Sequence, residues 1–236
     1  MKTPLISVII PVYNHQEFIG QAIESVLSQT FPDYEIIVID DGSIDCTRLI
    51  VKNYLRPGMR YVYKNHRGTP SALNVGITKA KGVYISWLSS DDRFLPTKLQ
   101  KQIQLIQANP NFGMIYTDWY QTDAVGNVVR EVHSPPLPTR RQAAIALLKN
   151  NCINGSTTLI QAKCFQKAGL FKENYLQGHD HDMWLRLCRY YTFGHIAEPL
   201  IYYRRHHKNL SLQPDPLHEF HHKQMFRETR QFFNLS

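Results

Sequence analysis

Trp87-Leu88-Ser89-Ser90-Asp91-Asp92-Arg93-Phe94 closes a run, Gly82-Val83-Tyr84-Ile85-Ser86-Trp87-Leu88, that is apolar, β-branched and aromatic. A run of this length is too short for a typical helix and reads as a buried strand. Two adjacent carboxylates at the end of such a strand repel each other, and partial burial penalises both. Two readings resolve the conflict. In one, Asp91 caps the turn and Asp92 is solvated, an ordinary use of Asp in turns. In the other, a hard divalent cation, Mg²⁺ or Mn²⁺, answers both charges and completes its shell with substrate phosphates. Ligands in open α/β sheets gather beyond the carboxyl ends of the strands, so the surrounding chain decides between the two.

On the N-terminal side the pattern alternates. Leu5–Ile10 is a first buried strand, and Pro11-Val12-Tyr13-Asn14 is expected to break it, since Pro cannot continue a central ladder. Glu17 to Gln29 has helical periodicity, with Phe18, Ile19, Ala22, Ile23, Val26 and Leu27 on one face. Tyr34–Ile39 is a second strand ending in the turn cluster Asp40-Asp41-Gly42-Ser43, and a helix follows to about Tyr54. Tyr61–Tyr63 is a short third strand, and Gly68 to Ala80 a helix. Close alternation of strand and helix predicts a parallel sheet with helices on both faces. No G-x-G-x-x-G follows the first strand, which disfavours a dinucleotide-binding domain.

On the C-terminal side the expected elements are a helix from Pro96 to Ala108, a strand at Met114–Tyr116 and a hairpin within 118–132 around Gly126-Asn127. A helix over Ala143–Leu148 and a strand over Ser156–Ile160 follow. Gly178-His179-Asp180-His181-Asp182 leads into a helix over Met183–Tyr190, and Leu200–Tyr203 is a last strand. The expected organisation is one domain over residues 1–213, in two halves at 1–93 and 94–213. Residues 214–236 form an amphipathic tail, read either as a helix packed on the domain or as a basic surface helix touching a membrane or partner.

The 236 residues suffice for a sizeable core, and 43% hydrophobic content marks a globular chain. Cys46, Cys152, Cys164 and Cys188 are widely spaced without a CxxC pair, so buried thiols in a reducing compartment are expected. The absence of a long apolar run and of a signal-peptide layout gives a cytoplasmic expectation, with peripheral contact at the inner membrane face. A net charge of +8 suits anionic ligands. No nucleic-acid module is recognisable, so no nucleic-acid partner is expected.

Five stretches stand in a meaningful order: Ser7–Asn14, Ile39–Asp45, Ala72–Ile77, Leu88–Asp92 and Asp180–Arg186. Together they resemble family 2 glycosyltransferases of the GT-A fold, over about residues 5 to 211. The resemblance implies an α/β fold with a Rossmann-like, mostly parallel central sheet flanked by helices and a smaller acceptor-side hairpin region. It implies an inverting transferase that moves a sugar from a nucleotide diphosphate donor, UDP or dTDP, to an acceptor hydroxyl with Mn²⁺ or Mg²⁺. Pro11, Val12, Tyr13 and Asp41 would frame the base, Asn74 would lie near the diphosphate and Asp91 near the ribose. Asp92 would ligate the metal, joined by His206 from the closing segment Tyr203-Arg204-Arg205-His206, with His207 as a substitute. Asp180 would be the general base that takes the acceptor proton.

The chain departs from the family pattern at three places. Ser89 stands where many relatives carry Asp, His179 where they often carry Glu, and Leu73 where they often carry Arg. The phosphate-pairing cation is then expected from Arg67, Arg204 or Arg205. His179, Asp180 and His181 also admit a reading as a metal-ligand cluster, and Asp180 one as a helix cap. The expected setting is synthesis of a cell-surface polysaccharide or glycolipid, with a glycan or lipid-linked acceptor. A non-catalytic nucleotide-sugar-binding subunit of the same fold is the alternative.

Overall fold

The computed structural model describes residues 3–235; residues 1, 2 and 236, which the expected domain and tail limits include, lie outside them. The first half alternates as its hydrophobic pattern requires: β1 (Ile6–Val12), α1 (Ile19–Leu27), β2 (Tyr34–Asp40), α2 (Thr47–Tyr54), β3 (Met59–Tyr63), α3 (Thr69–Lys79) and β4 (Tyr84–Trp87). These strands are parallel in the order β3-β2-β1-β4. Every residue of β1 is buried, because helices cover both faces of the sheet. The period-2 alternation divides the core. Val8, Ile10 and Val12 pack with α1, whereas Ile9 packs with Ala72 and Leu73 of α3.

The second half adds β5 (Arg93–Phe94), α4 (Lys98–Ala108), β6 (Phe112–Thr122), β7 (Val128–Val132), α5 (Arg140–Leu147), β8 (Leu159–Gln161), α6 (Cys164–Ala168), α7 (His179–Leu187), β9 (Thr192–Arg204) and α8 (His218–Phe233). One mixed sheet results, in the order β3-β2-β1-β4-β8-β6-β9-β5, with β7 paired to β6. β8 runs antiparallel between β4 and β6, and β6 and β9 are parallel. The expected hairpin is β6–β7. Its turn is held by Asp123, whose Oδ1 accepts from the backbone N–H groups of Val125, Gly126 and Asn127.

Four expectations are corrected. Pro11 does not end β1; it stays in register with Ile39 of β2. Odd-numbered residues of β1 direct their backbone groups toward β4, as the Leu88 N–H to Ile9 C=O bond shows. β4 has ended by that level, so the missing Pro11 N–H costs no ladder bond. β9 is far longer than Leu200–Tyr203: it starts at Thr192 and carries Pro199 opposite Asp118, where the β6–β9 register shifts. Residues 155–157 form a 3₁₀ turn, and the strand begins only at Leu159. His179–Asp182 lie inside α7, not ahead of it.

The tail forms α8, packed against α7 and α5. Met225 is buried in the core, and Phe226 and Phe233 pack against it. Two glycines are sites of close approach. A Cβ on Gly76 would sit 2.4 Å from Ile9 Cγ2, and one on Gly155 would sit 2.3 Å from the Trp87 ring. The second contact brings the 155–157 turn onto the end of β4.

Lys98 is wholly buried beneath the sheet. Its ammonium donates to Gln102 Oε1 (2.8 Å) and Ser86 Oγ (3.2 Å) and lies 4.1 Å above the Phe94 ring, with no carboxylate partner among the described residues. Burial holds its pKa well below the ordinary lysine value. Between the folded and unfolded pKa values the unfolded chain holds a proton that the folded chain lacks. Stability therefore rises with pH across the alkaline range below about 10.4. Replacing Lys98 by Met is expected to flatten that rise. Urea unfolding of both proteins at neutral and alkaline pH checks it, and identical pH dependences would contradict it.

Candidate active site

The carboxyl ends of β1, β2 and β4, the segment after β9 and the first turn of α7 converge on one cleft of about 1640 Å³. Of the Asp91-Asp92 turn, Asp91 lines the cleft and Asp92 does not. Asp92 turns inward: Ser156 Oγ donates to its Oδ2 (2.6 Å) and the Arg204 N–H to its Oδ1 (3.0 Å). Burial, and then the neighbouring Asp91 charge, raise its pKa well above the usual carboxylate range. Asp91 faces the cleft. Its Oδ2 accepts from His206 Nε2 (2.9 Å) and Asn209 Nδ2 (3.2 Å).

His15 completes this group. Ligand atoms of His15, Asp91 and His206 lie within 4.8 Å of one another. His206 is braced by stacking on Phe18 at 4.7 Å, and His15 shares a hydrogen bond of 2.8 Å between its Nδ1 and Ser90 Oγ. Burial, more than any charge, lowers the His15 pKa, which favours the neutral imidazole a metal requires. Two imidazoles and a carboxylate suit Mn²⁺ better than Mg²⁺, which prefers oxygen donors. The residues present therefore fit a divalent ion. The carboxylate that meets His206 is Asp91; Asp92, the ligand expected from the resemblance, is bonded instead to Ser156 and the Arg204 backbone. His15 was missed because one His after a strand-end turn carries no spacing signal; its position directly after Tyr13-Asn14, at the same sheet edge as Asp91, is what could have marked it.

The four residues expected to frame the base come together. Pro11, Val12, Tyr13 and Asp41 line the cleft. Tyr13 is 40% exposed and stacks on His66 at 4.0 Å. Asp41 is buried and saturated: the Lys64 ammonium, the N–H groups of Arg67 and Gly68 (2.7 Å), and His66 Nδ1 (2.9 Å) all reach its carboxylate. It thus fixes the 64–68 loop as a wall of the cleft. Asn74 is not a lining residue. Its Nδ2 donates to the Phe171 C=O and its Oδ1 accepts from the Phe171 N–H, both at 2.9 Å, clamping α3 to the chain ahead of α7.

Of the three candidate phosphate cations, Arg204 is withdrawn. It is 2% exposed and donates to Gln21 Oε1 and to the Asp91 and Ala124 carbonyls. Arg67 and Arg205 both line the cleft, Arg67 in an ion pair of 3.0 Å with Glu173.

Asp180 lines the cleft from the first turn of α7. Its Oδ2 accepts from Asn151 Nδ2 (2.9 Å) and its Oδ1 from the His181 N–H (2.7 Å). Helical geometry disperses its neighbours. His179 is buried against Trp87, at a ring distance of 5.6 Å. His181 Nε2 donates to the Leu147 C=O (2.6 Å), and Asp182 pairs with Lys172 (3.0 Å) and Arg186 (2.7 Å). His179, Asp180 and His181 form no metal cluster among the described residues.

Residues 7–169 match the family described as Glycosyl transferase family 2. The chain belongs to that family. A Rickettsia prowazekii protein described as an uncharacterized glycosyltransferase is 38% identical over 207 residues, which are 86% of this chain and 65% of that protein. The Escherichia coli chondroitin synthase is 28% identical over 97% of this chain and 33% of its own length. The chain thus spans only part of the length of the relatives it matches. Among solved structures, S. aureus TarS 1-349 in complex with UDP-GlcNAc shares the GT-A fold, with a TM-score of 0.74 at 18% identity, covering 98% of this chain and 73% of that one. The mannosyltransferase PcManGT of Pyrobaculum calidifontis, in complex with GDP-Man and Mn²⁺, has a TM-score of 0.67 at 18% identity, covering 89% and 59%.

The two carboxylates lead to a direct comparison. Asp91→Asn is expected to weaken Mn²⁺ binding by at least about tenfold, whereas Asp92→Asn retains it. Electron paramagnetic resonance of free Mn²⁺ during titration measures both. Retention in Asp91→Asn with loss in Asp92→Asn would reverse the assignment.

Proposed function

We propose that the chain transfers a sugar, with inversion, from a nucleotide diphosphate donor to an acceptor hydroxyl, with Asp180 as general base. The observation that carries this reading is that Asp91 and His15, whose ligand atoms stand beside those of the buried His206, line the same cleft as the Asp180 carboxylate, from different elements. Inversion by direct displacement needs a cation site for the departing diphosphate on one side of the sugar and a proton acceptor on the other.

The roles follow from the surroundings. The nucleotide lies along Pro11–Tyr13 and the 64–68 wall, where the Tyr13 ring offers a stacking face. The wall is held in place because Asp41 binds four of its residues, Lys64, His66, Arg67 and Gly68. Asp91, His15 and His206 would hold the ion, which when bound neutralises charge on the diphosphate. Arg205, exposed beside this group, is the phosphate-facing cation. Asn151 orients the Asp180 Oδ2, which accepts the acceptor hydroxyl's proton as the glycosidic bond forms. Asp92 acts through position: its bonds to Ser156 and the Arg204 backbone fix the turn that presents Asp91.

UDP is the nucleotide we favour, since TarS binds UDP and UDP-GlcNAc. The likeness to chondroitin synthase supports a glycan acceptor and a place in cell-surface polysaccharide or glycolipid synthesis. No helix among the described residues is long and apolar enough to cross a membrane.

Thermal unfolding against UDP, dTDP and GDP, each with and without Mn²⁺, is expected to show a metal-dependent rise in melting temperature with UDP. Asp180→Asn is expected to keep that rise and lose sugar transfer by about 10²–10⁴-fold. Unchanged transfer in Asp180→Asn would remove the base assignment. Donor binding without turnover in the native protein, across glycan and lipid-linked acceptors, would favour a binding subunit.

A further inference from the structure

We propose that His181, His218 and His222 form a second metal site, for a borderline transition ion such as Zn²⁺, that fastens α8 to α7 beside Asp180. The start of α8 reads His218-Glu219-Phe220-His221-His222. Histidines four apart on a helix share a face, the spacing by which helices present paired imidazoles to zinc. Here both rings line the acceptor end of the cleft, with centroids 5.6 Å apart. His221 faces the other way, stacked on Tyr175 at 4.1 Å. Among the described residues, nothing hydrogen-bonds to the ring nitrogens of His218 or His222.

His181 supplies the third imidazole from α7, its centroid 5.4 Å from that of His222. A carbonyl can only accept, so the 2.6 Å bond to the Leu147 C=O places the ring proton on Nε2 and leaves the Nδ1 lone pair free. Metal-ligating histidines are commonly oriented by such a bond from the other ring nitrogen. Two imidazoles on one tetrahedral ion, with metal–nitrogen bonds of about 2.0–2.1 Å, hold their centroids about 5 Å apart. His222 stands at close to that spacing from each of the other two rings.

The three donor nitrogens do not already converge as those of His15, Asp91 and His206 do. The exposed His218 ring can turn inward without disturbing the core. An all-imidazole set selects Zn²⁺ or a similar ion, in contrast to the carboxylate-containing set around Asp91. Glu219 plays no part: it is 79% exposed and paired with Lys223. This excludes a metalloprotease reading of the spacing, which needs that Glu at the ion. The proposal is independent of the transfer reaction.

The test uses the full chain with the donor-side set disabled by His15→Ala and Asp91→Asn, stripped of metal and titrated with Zn²⁺ against a chromogenic chelator, then with Co²⁺. One tightly held equivalent is expected, with the intense visible absorption of tetrahedral Co²⁺. Adding His218→Asn is expected to weaken Zn²⁺ binding by at least about tenfold. His218 is exposed, so its loss should leave the metal-free melting temperature unchanged. His222→Asn should reproduce the weakening. No Zn²⁺ retained in the disabled background, or retention that both His variants leave unaltered, would overturn the site and leave these rings as simple packing around Phe226.

Discussion

Two adjacent carboxylates close the central strand of a buried sheet, and the site is arranged around that electrostatic conflict. Both cannot be ionised, buried and unanswered at once. The chain separates their fates. Asp92 is driven inward, where a Ser hydroxyl and a backbone N–H satisfy it and its pKa rises. Asp91 is left facing the cleft, where the His206 imidazole and the Asn209 amide answer it. The turn's geometry, more than the pair's presence, sets which carboxylate can meet an ion.

Holding that turn draws on distant parts of the chain. Ser156 is 64 residues from Asp92, and Arg204 is 112. Gly155 brings the Ser156 turn onto Trp87, since any larger residue would overlap the indole. Arg204 closes the other side: its backbone satisfies Asp92 while its guanidinium binds the Asp91 carbonyl and Gln21. The side chain whose charge suggested phosphate binding is thereby used to fasten the end of β9, which then delivers His206. The saturated Asp41 does the same for the 64–68 wall. Buried, fully bonded polar groups fix loops in this way because leaving any member unpaired is costly.

The periodic elements were legible from the residues alone. Apolar runs in β1, β2 and β4 and the helical stripe of α1 are local signals, and the resulting parallel half follows from them. The hairpin was legible from Gly126-Asn127, and the ordered family stretches identified the cleft's edge. β9 was largely illegible because Pro199 interrupts its pattern at a register shift that only β6 explains. The first turn of α7 was misjudged because His179–Asp182 lacks apolar periodicity; burial against Trp87, Leu147 and Lys172 stabilises it instead.

By itself the sequence determined the fold class, the family, and the residue types gathered at the sheet's carboxyl edge, because these depend on local pattern and on motifs in order. Only the tertiary structure decided that Asp91 and not Asp92 faces the cleft, that His15 joins it, that Asn74 and Arg204 serve as clamps, and that α8 lies along α7. The reason is physical: where a polar side chain points depends on which partner can satisfy it, and here the partners come from elements that adjoin only after the sheet is assembled.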